Sequence, residues 1–334
     1  MRVAVVILNW NGEAHLRRFL PTVVAASPEA DVIVADNGST DASVQYVEEC
    51  CPTVRLLLLG QNYGFAEGYN RALAQLEGYD LFVLLNSDVE PAEGWLAPLV
   101  ECFADERTAI VGPKIRAVSA PDSFEYAGAA GGFIDYLGYP FCRGRIMNAV
   151  ERDSGQYDTP REAMWVSGAA LCCRADVYRE LGGLCGDFFA HMEEIDLCWR
   201  VWLSGRKVVV EPRSTVYHLG GGTLANGSPQ KVFLNHRNNL AMLYRCAPPV
   251  QRAVVAVVRP LLDALAALSY LAHGNVAGLK AVCRAYCDFA RWHGRLARER
   301  RKIRGSAVAE AQGVYCGSMV LRYIFGGRTF NNMM

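Results

Sequence analysis

Apolar and polar positions are arranged in blocks along the first ninety residues. Val3 to Leu8 are apolar without a break, and the run stops at Asn9-Trp10-Asn11-Gly12. Mostly apolar stretches cover Asp31 to Ala35, which opens on the acid, Val54 to Leu59, which contains Arg55, and Leu81 to Leu85, which is unbroken. Unbroken apolar runs bounded by polar residues are expected to be strands buried on both faces of a sheet. Helical spacing fills the intervals. Leu16, Phe19 and Leu20 share one face, as do Val44 and Val47, and a third helix is expected from about Glu67 to Leu76. Pro21 predicts a kink or an end in the first helix. This alternation implies a mainly parallel sheet flanked by helices.

Beyond residue 90 the pattern is less regular. Ala109 to Ile115 is a further strand. Residues 119 to 160 dissolve into Gly, Tyr, Asp and Arg, which predicts an irregular insertion with a hairpin and a mobile loop around Arg143 to Asp158. Periodicity returns from Ala163 to Cys172, where the small residues Ser167 to Ala170 allow close backbone approach. Helical spacing follows Glu194, Lys207 to Val210 and Thr215 to His218 are short strands, and a helix opens at Asn235.

Val254, Val258, Leu261, Leu265 and Leu268 recur at helical spacing near the C-terminus. Arg252, Arg259 and Asp263 interrupt that run, so a spanning helix of about 20 apolar residues is not expected. Arg284, Arg291, Arg295, Arg298, Arg300, Arg301, Lys302 and Arg304 follow, with Asp288 and Glu299 as the acidic residues among them. Such a basic amphipathic end suits an anionic membrane surface or a helical hairpin with a solvated basic face. Residues 305 to 334 look irregular. The expected divisions are 1–245, a helical extension over 246–304, and a tail over 305–334.

Composition narrows the choices. A chain of 334 residues suits one large domain or a domain plus an appendage. The formal net charge is zero, so nothing points to nucleic acid as partner. Twelve cysteines include two vicinal pairs and no CxxC, which favours free thiols in a reducing cytoplasm over a zinc site. The N-terminus enters a strand at once, so a secretory leader is not expected.

The strand ends gather polar residues at one rim. Asn9, Asp36 and Asn37 end two strands, and Asn86-Ser87-Asp88 ends the Leu81 run. The carboxyl edge of such a sheet is where ligands bind. Asp88 suits Mg²⁺ or Mn²⁺ bridging to substrate phosphates, or it caps the next helix. There is no G-x-G-x-x-G after the first strand and no P-loop, which weakens dinucleotide oxidoreductase and P-loop phosphotransferase readings. Glu193, Glu194 and Asp196 crowd one helix start, where the dipole favours acids. Asp196 can simply pair with Arg200 one turn on, whereas the two glutamates have no local partner. His218, before Gly220-Gly221-Gly222, is a candidate contact to metal or phosphate, or a structural histidine.

Together these stretches resemble family 2 glycosyltransferases with the GT-A fold, in the rhamnosyltransferase-like branch. The resemblance rests on Val5–Gly12, Val34–Asp41, Asn62–Asn70, Leu84–Asp88, Trp165–Leu171, Phe188–Arg200 and Tyr217–Thr223, over roughly residues 1–245. It implies a Rossmann-like nucleotide-diphospho-sugar transferase domain followed by a C-terminal helical extension. It implies nucleotide contacts at Asn9, Asp36, Asn37, Asn62, Asn86 and Ser87, with Asn86-Ser87-Asp88 in the place of Asp-x-Asp. Asp88 and His218 become metal ligands for Mg²⁺ or Mn²⁺. Glu194 becomes the catalytic base with Glu193 in reserve, where the family usually has Glu-Asp. Trp165, Gly168 and Asp196 fall around the sugar or acceptor pocket.

The expected activity is inverting transfer from a nucleotide-diphosphate sugar, first of all dTDP-rhamnose, to a glycan or polyprenyl-linked hydroxyl in cell-surface polysaccharide synthesis. UDP-hexose or UDP-galactofuranose transfer and a non-catalytic nucleotide-sugar-binding scaffold are the alternatives. A nucleotidyltransferase would want a basic Gly-rich loop, which Asn9-Trp10-Asn11-Gly12 does not supply. Work at the inner face of the cell membrane is expected, and nothing in the sequence fixes an oligomeric state.

Overall fold

The computed structural model describes residues 1–126, 128–220 and 227–332. The first half runs β1 (Val3–Asn9), α1 (Glu13–Ala26), β2 (Asp31–Asp36), α2 (Ser43–Cys50), β3 (Arg55–Leu58), α3 (Gly64–Leu73), β4 (Leu81–Asn86), β5 (Val89–Pro91), α4 (Leu96–Glu101) and β6 (Thr108–Ala117). Then come β7 (Ala120–Phe124), β8 (Gly132–Asp135), β9 (Pro140–Cys142), β10 (Arg145–Ile146), β11 (Ala149–Val150), β12 (Arg161–Glu162), β13 (Ala170–Arg174) and α5 (Ala175–Glu180). The chain ends with α6 (Glu193–Leu203), β14 (Lys207–His218), α7 (Pro229–Cys246), α8 (Pro249–Ala272), α9 (Val276–Gly305), β15 (Val314–Tyr315) and α10 (Met319–Ile324).

The main sheet has the order β12-β14-β6-β13-β4-β1-β2-β3, with β5 on β14 and β7 on β6. It is a mixed sheet. β4, β1, β2 and β3 are parallel, as the alternation predicts, but β13 lies antiparallel between β4 and β6. The period of two along each strand divides the core. Val5, Ile7, Val83 and Leu85 pack on one face of the sheet, and Ala4, Val6, Phe82 and Leu84 on the other. The expected burial on both faces holds for β1, β2 and β4. β3 is the exception: it is the edge strand, and Leu58 is exposed.

Three sequence expectations are corrected. Pro21 neither ends nor splits α1, which runs through it to Ala26 with Pro21 on the exposed side. Residues 119–160 are less irregular than expected. β8 to β11 form a second sheet with β15, built of strands two to four residues long, too short for a period to show. The tail is not loose either. β15 pairs with β8, and Phe330 is buried against Phe133, Phe141 and Tyr157.

α8 also differs. By length and composition it is apolar enough to cross a membrane. Arg259 and Asp263 do not break it because both turn inward and are buried. The glycine loop expected after His218 lies, from Gly221 to Thr223, outside the described residues.

Candidate active site

Register places the polar strand ends together. Asn9 lies opposite Asp36 in β1–β2, and Leu8 opposite Asn86 in β1–β4. Three side chains selected from sequence thus share one edge of the sheet. Asp36 is buried and accepts hydrogen bonds from Asn9 Nδ2 (3.1 Å), the Gly38 amide (3.1 Å) and the Ser39 amide (2.9 Å). Asn9 Nδ2 also reaches Ser39 and Ser43, while its Oδ1 is buried without a hydrogen-bond partner. A side chain at position 12 would put its Cβ 2.4 Å from that oxygen. Gly12 therefore keeps a small opening in front of a free acceptor, with Ser87 Oγ on its other side. Such a cradle suits the N–H edge of a nucleobase.

Asn37 and Asn62 are engaged with one another and with their loops. Asn37 Nδ2 donates to Asn62 Oδ1 (3.2 Å) and Gly64 O (3.0 Å), and Asn37 Oδ1 accepts from the Tyr63 amide. Asn37 is spent in fixing the wall of the pocket, whereas Asn62 is exposed and gives only its Oδ1 to these bonds and to the Gly64 amide (2.8 Å).

Asp88 and His218 come from distant parts of the sequence. β5 pairs with the end of β14, Val89 opposite His218, and so carries Asp88 to the histidine. His218 Nε2 is 3.2 Å from Asp88 Oδ1 and its Nδ1 is 3.3 Å from Glu125 Oε2. All three side chains are buried. Burial alone would lower the pKa of His218, but the two flanking carboxylates outweigh it and raise it to about 9. Burial likewise opposes the charge on Asp88, and His218 wins, holding its carboxyl below the usual range. Asn86 Nδ2 lies 3.5 Å from His218 Nε2. Glu125 was not selected from sequence. It sits in the region taken as irregular, with no motif around it.

Among the described residues no group of three or more His, Cys, Asp or Glu is arranged around a metal position. Two donors do converge, one carboxylate oxygen and one imidazole nitrogen. With His218 deprotonated, that pair would suit Mn²⁺ or Mg²⁺, so a cation would have to displace the proton that Asp88 and Glu125 hold on the ring. Glu125 lies 3.3 Å from the other ring nitrogen as an ion-pair partner, without the geometry of a hydrogen bond.

The second acid group opens α6. Phe189, His191 and Met192 all have positive φ (65°, 70° and 73°), a left-handed geometry uncommon for residues with side chains. The amide of Asn238, on α7, donates to the carbonyls of Phe188 (2.9 Å), Ala190 (2.9 Å) and His191 (2.8 Å). Arg237 adds bonds to Asp187 O and Phe188 O. The Phe189 carbonyl in turn accepts from the Phe65 and Ala66 amides at the start of α3. Sequence gave Asn238 only as part of a helix start, because its partners are backbone atoms about fifty residues away.

This held loop delivers Glu193 and Glu194 with one oxygen each lacking a hydrogen-bond partner. Burial pushes the Glu194 carboxyl up to about 7, although amides of α6 and Met192 partly offset it. Burial and the neighbouring Glu194 charge raise Glu193. Gly168 faces this pair: a Cβ there would lie 3.5 Å from Phe65 and 3.6 Å from the Glu194 Cβ. The Asn86 amide donates to Ala169 O, which ties Gly168 and its neighbours to the Asn86-Ser87-Asp88 end of β4.

Two expected pocket residues are buried and engaged in other contacts. Asp196 is fully buried in ion pairs with Arg200 (2.8 Å) and Arg245 (3.0 Å), so it fastens α6 to α7. Trp165 is buried and donates through Nε1 to Phe133 O, so it joins the two sheets.

Comparison with known proteins bears on the family and the fold. Residues 4–152 match the family described as Glycosyl transferase family 2. N-acetylglucosaminyl-diphospho-decaprenol L-rhamnosyltransferase of Mycobacterium tuberculosis is 28% identical over 258 residues, 72% of this chain and 83% of the relative. Among solved structures, GalNAc-T7 with UDP, GalNAc and Mn²⁺ aligns with a TM-score of 0.63 at 18% identity, over 78% of this chain and 50% of that one. S. aureus TarS 1–349 with UDP-GlcNAc aligns with a TM-score of 0.57 at 15% identity, over 92% and 87%. At such identities the two structures speak for the fold alone. Over residues 4–152 the chain matches glycosyl transferase family 2, and it is a glycosyltransferase with the GT-A fold.

Proposed function

We propose that this protein is an inverting, metal-dependent transferase acting on a nucleotide-diphosphate sugar and a glycan or lipid-linked hydroxyl. The observation that carries the proposal is the pairing of two different acid sites. Asp88 is held ionised beside His218, whereas Glu194 is poised near neutrality with an unpartnered oxygen. Environments that push two carboxyl groups apart in pKa divide their roles.

Asn9, Asp36 and Ser87 hold the nucleotide in this scheme, with Asn37 and Asn62 fixing the pocket wall. Asp88 and a deprotonated His218 would hold a divalent cation, which when bound would offset the charge that develops on the departing diphosphate. Glu194 orients the acceptor hydroxyl and takes its proton as the oxygen attacks the anomeric carbon. The bond from that carbon to the diphosphate breaks on the opposite face, so the centre inverts and no enzyme-bound sugar forms. Gly168 leaves space beside the base.

Rhamnose from dTDP-rhamnose is our first choice of donor, supported by the similarity to the mycobacterial rhamnosyltransferase. That relative's name also supports a polyprenyl-diphosphate-linked acceptor and a role in the cell envelope. All twelve cysteines are free, in keeping with a reducing cytoplasm and a place at the inner face of the membrane.

Calorimetric titration with dTDP-rhamnose and a panel of UDP-sugars, each with and without Mn²⁺, tests the donor. Metal-dependent binding of dTDP-rhamnose alone is expected. Preference for a UDP-sugar would replace the rhamnose assignment, and binding of no donor by folded protein would favour a scaffold.

A further inference from the structure

α8 carries a surface for which the transferase site has no use. Its buried positions are Gln251, Val255, Arg259, Asp263 and Ala267, and three of these five are polar. Gln251 donates to Tyr136 O (2.9 Å). Arg259 donates to Leu137 O (2.8 Å) and Asn239 Oδ1 (2.6 Å) and pairs with Asp263, which accepts from Tyr286 Oη (2.7 Å).

The outward side is the reverse. Every exposed residue from Pro249 to Leu268 is Val, Leu, Ala or Pro. Val250, Val254, Val257, Leu261, Leu265 and Leu268 form one exposed row along the helix. A surface helix in water turns its apolar stripe inward. Here the polar groups face the protein and the apolar ones face out, which marks an interaction surface.

The helix does not cross a membrane in this fold. Arg259 and Asp263 sit in its middle, fastened to the catalytic domain, and a spanning arrangement would strip them of those partners inside hydrocarbon. A helix lying flat keeps them.

The surroundings supply matching charge. The turn at 135–139 that receives Gln251 and Arg259 also receives the start of α10, through the Met319 amide on Asp135 and the Tyr136 amide on Gly317 O. α10 exposes Leu321, Ile324 and Phe325 beside Arg322 and Arg328. Arg300 donates to Ala247 O (2.8 Å), which sets the basic end of α9 against the start of α8. Arg298, Arg301 and Lys302 are exposed there. Residues 276–334 hold 11 Lys and Arg against 3 Asp and Glu, whereas residues 1–275 hold 23 against 31.

We propose that the outward face of α8, with Leu321, Ile324 and Phe325, lies in the plane of an anionic lipid bilayer. The apolar row enters the acyl boundary and the guanidinium groups remain among the headgroups. A second copy of the chain fits less well. A two-fold contact through α8 would bring like basic ends together, and the outer face has no polar group to set its register. The inference does not depend on which sugar is transferred, or on transfer at all.

The test is sedimentation of the full chain with vesicles of phosphatidylcholine, alone and mixed with phosphatidylglycerol. Binding is expected to the mixed vesicles and to weaken with salt. Leu261→Glu and Leu265→Glu, both on exposed positions, are each expected to weaken it by at least about tenfold while the far-UV spectrum is unchanged. Hydrogen exchange on the unaltered chain should slow in α8 and α10 when mixed vesicles are added. Binding unaffected by both substitutions, or no binding to either vesicle, overturns the proposal. A dimer in ultracentrifugation that Leu261→Glu dissociates, without vesicle binding, overturns it in favour of self-association.

Discussion

His218 Nε2 stands 3.2 Å from Asp88 Oδ1, although 130 positions separate the two residues along the chain. The pairing of β5 with β14 creates this contact, and the Glu125 carboxylate faces the ring from its far side. Asp88→Ala should remove metal-dependent nucleotide-sugar binding without unfolding the protein, because Asp88 lies in the turn between β4 and β5 and the core residues of both strands are untouched. Calorimetry with and without Mn²⁺ checks this. His218→Ala should weaken the same binding less, since one carboxylate donor remains. Equal metal-dependent binding in Asp88→Ala and the unaltered protein would refute the assignment.

Glu194 gives a prediction of the opposite kind. Glu194→Gln keeps the size and the loop, so donor binding should persist while transfer falls by about 10²-fold or more, the usual range for removing a general base. The activity of the unaltered enzyme should rise with pH through about 7, where Glu194 loses its proton. The sign for stability is the reverse. A buried carboxyl whose pKa is raised on folding binds its proton more tightly in the folded state, so stability is full below its ordinary value of about 4.5 and declines as pH rises through about 7. Glu193→Gln removes one charge of the pair. It should therefore raise the melting temperature at pH 8 more than at pH 5, as read by calorimetric scans.

Asn238→Ala tests the loop that presents those acids. One amide group serves three carbonyls in a segment with three left-handed residues. Its loss leaves buried acceptors unsatisfied, at about 1–3 kcal/mol. The loop should then relax, and kcat should fall more than KM rises, with donor affinity near normal. A change in KM alone, at unchanged melting temperature, would show that Asn238 does not position Glu194.

The sequence made part of this legible for physical reasons. β1, β2 and β4 are buried on both faces, so unbroken apolar runs identify them, and their polar ends mark the rim that holds Asn9, Asp36 and Asp88. β8 to β11 are too short to carry a period, which hid the second sheet, and Glu125 follows the short strand β7 on the main sheet with no motif around it. Asn238 was hidden because its role lies in backbone carbonyls brought close only by folding. α8 misled through composition alone: Arg259 and Asp263 looked like interruptions of an apolar helix, but they are its anchor.

Asp196 shows how an acid beside the catalytic pair differs from it. Glu194 has a free oxygen, whereas Asp196 is enclosed by Arg200 and Arg245, and Arg245 also pairs with Glu299 (3.1 Å). Removing one member of a buried ion network leaves uncompensated charge, here two guanidinium groups. Asp196→Ala should therefore destabilise the fold by about 3–5 kcal/mol, readable in urea unfolding, and lower activity only in proportion to the unfolded fraction. Arg245→Met, which removes a cation without leaving a buried acid unpaired because Arg200 remains, should cost less. If Asp196→Ala folded with unchanged stability yet failed to bind a nucleotide sugar, Asp196 would be returned to the pocket.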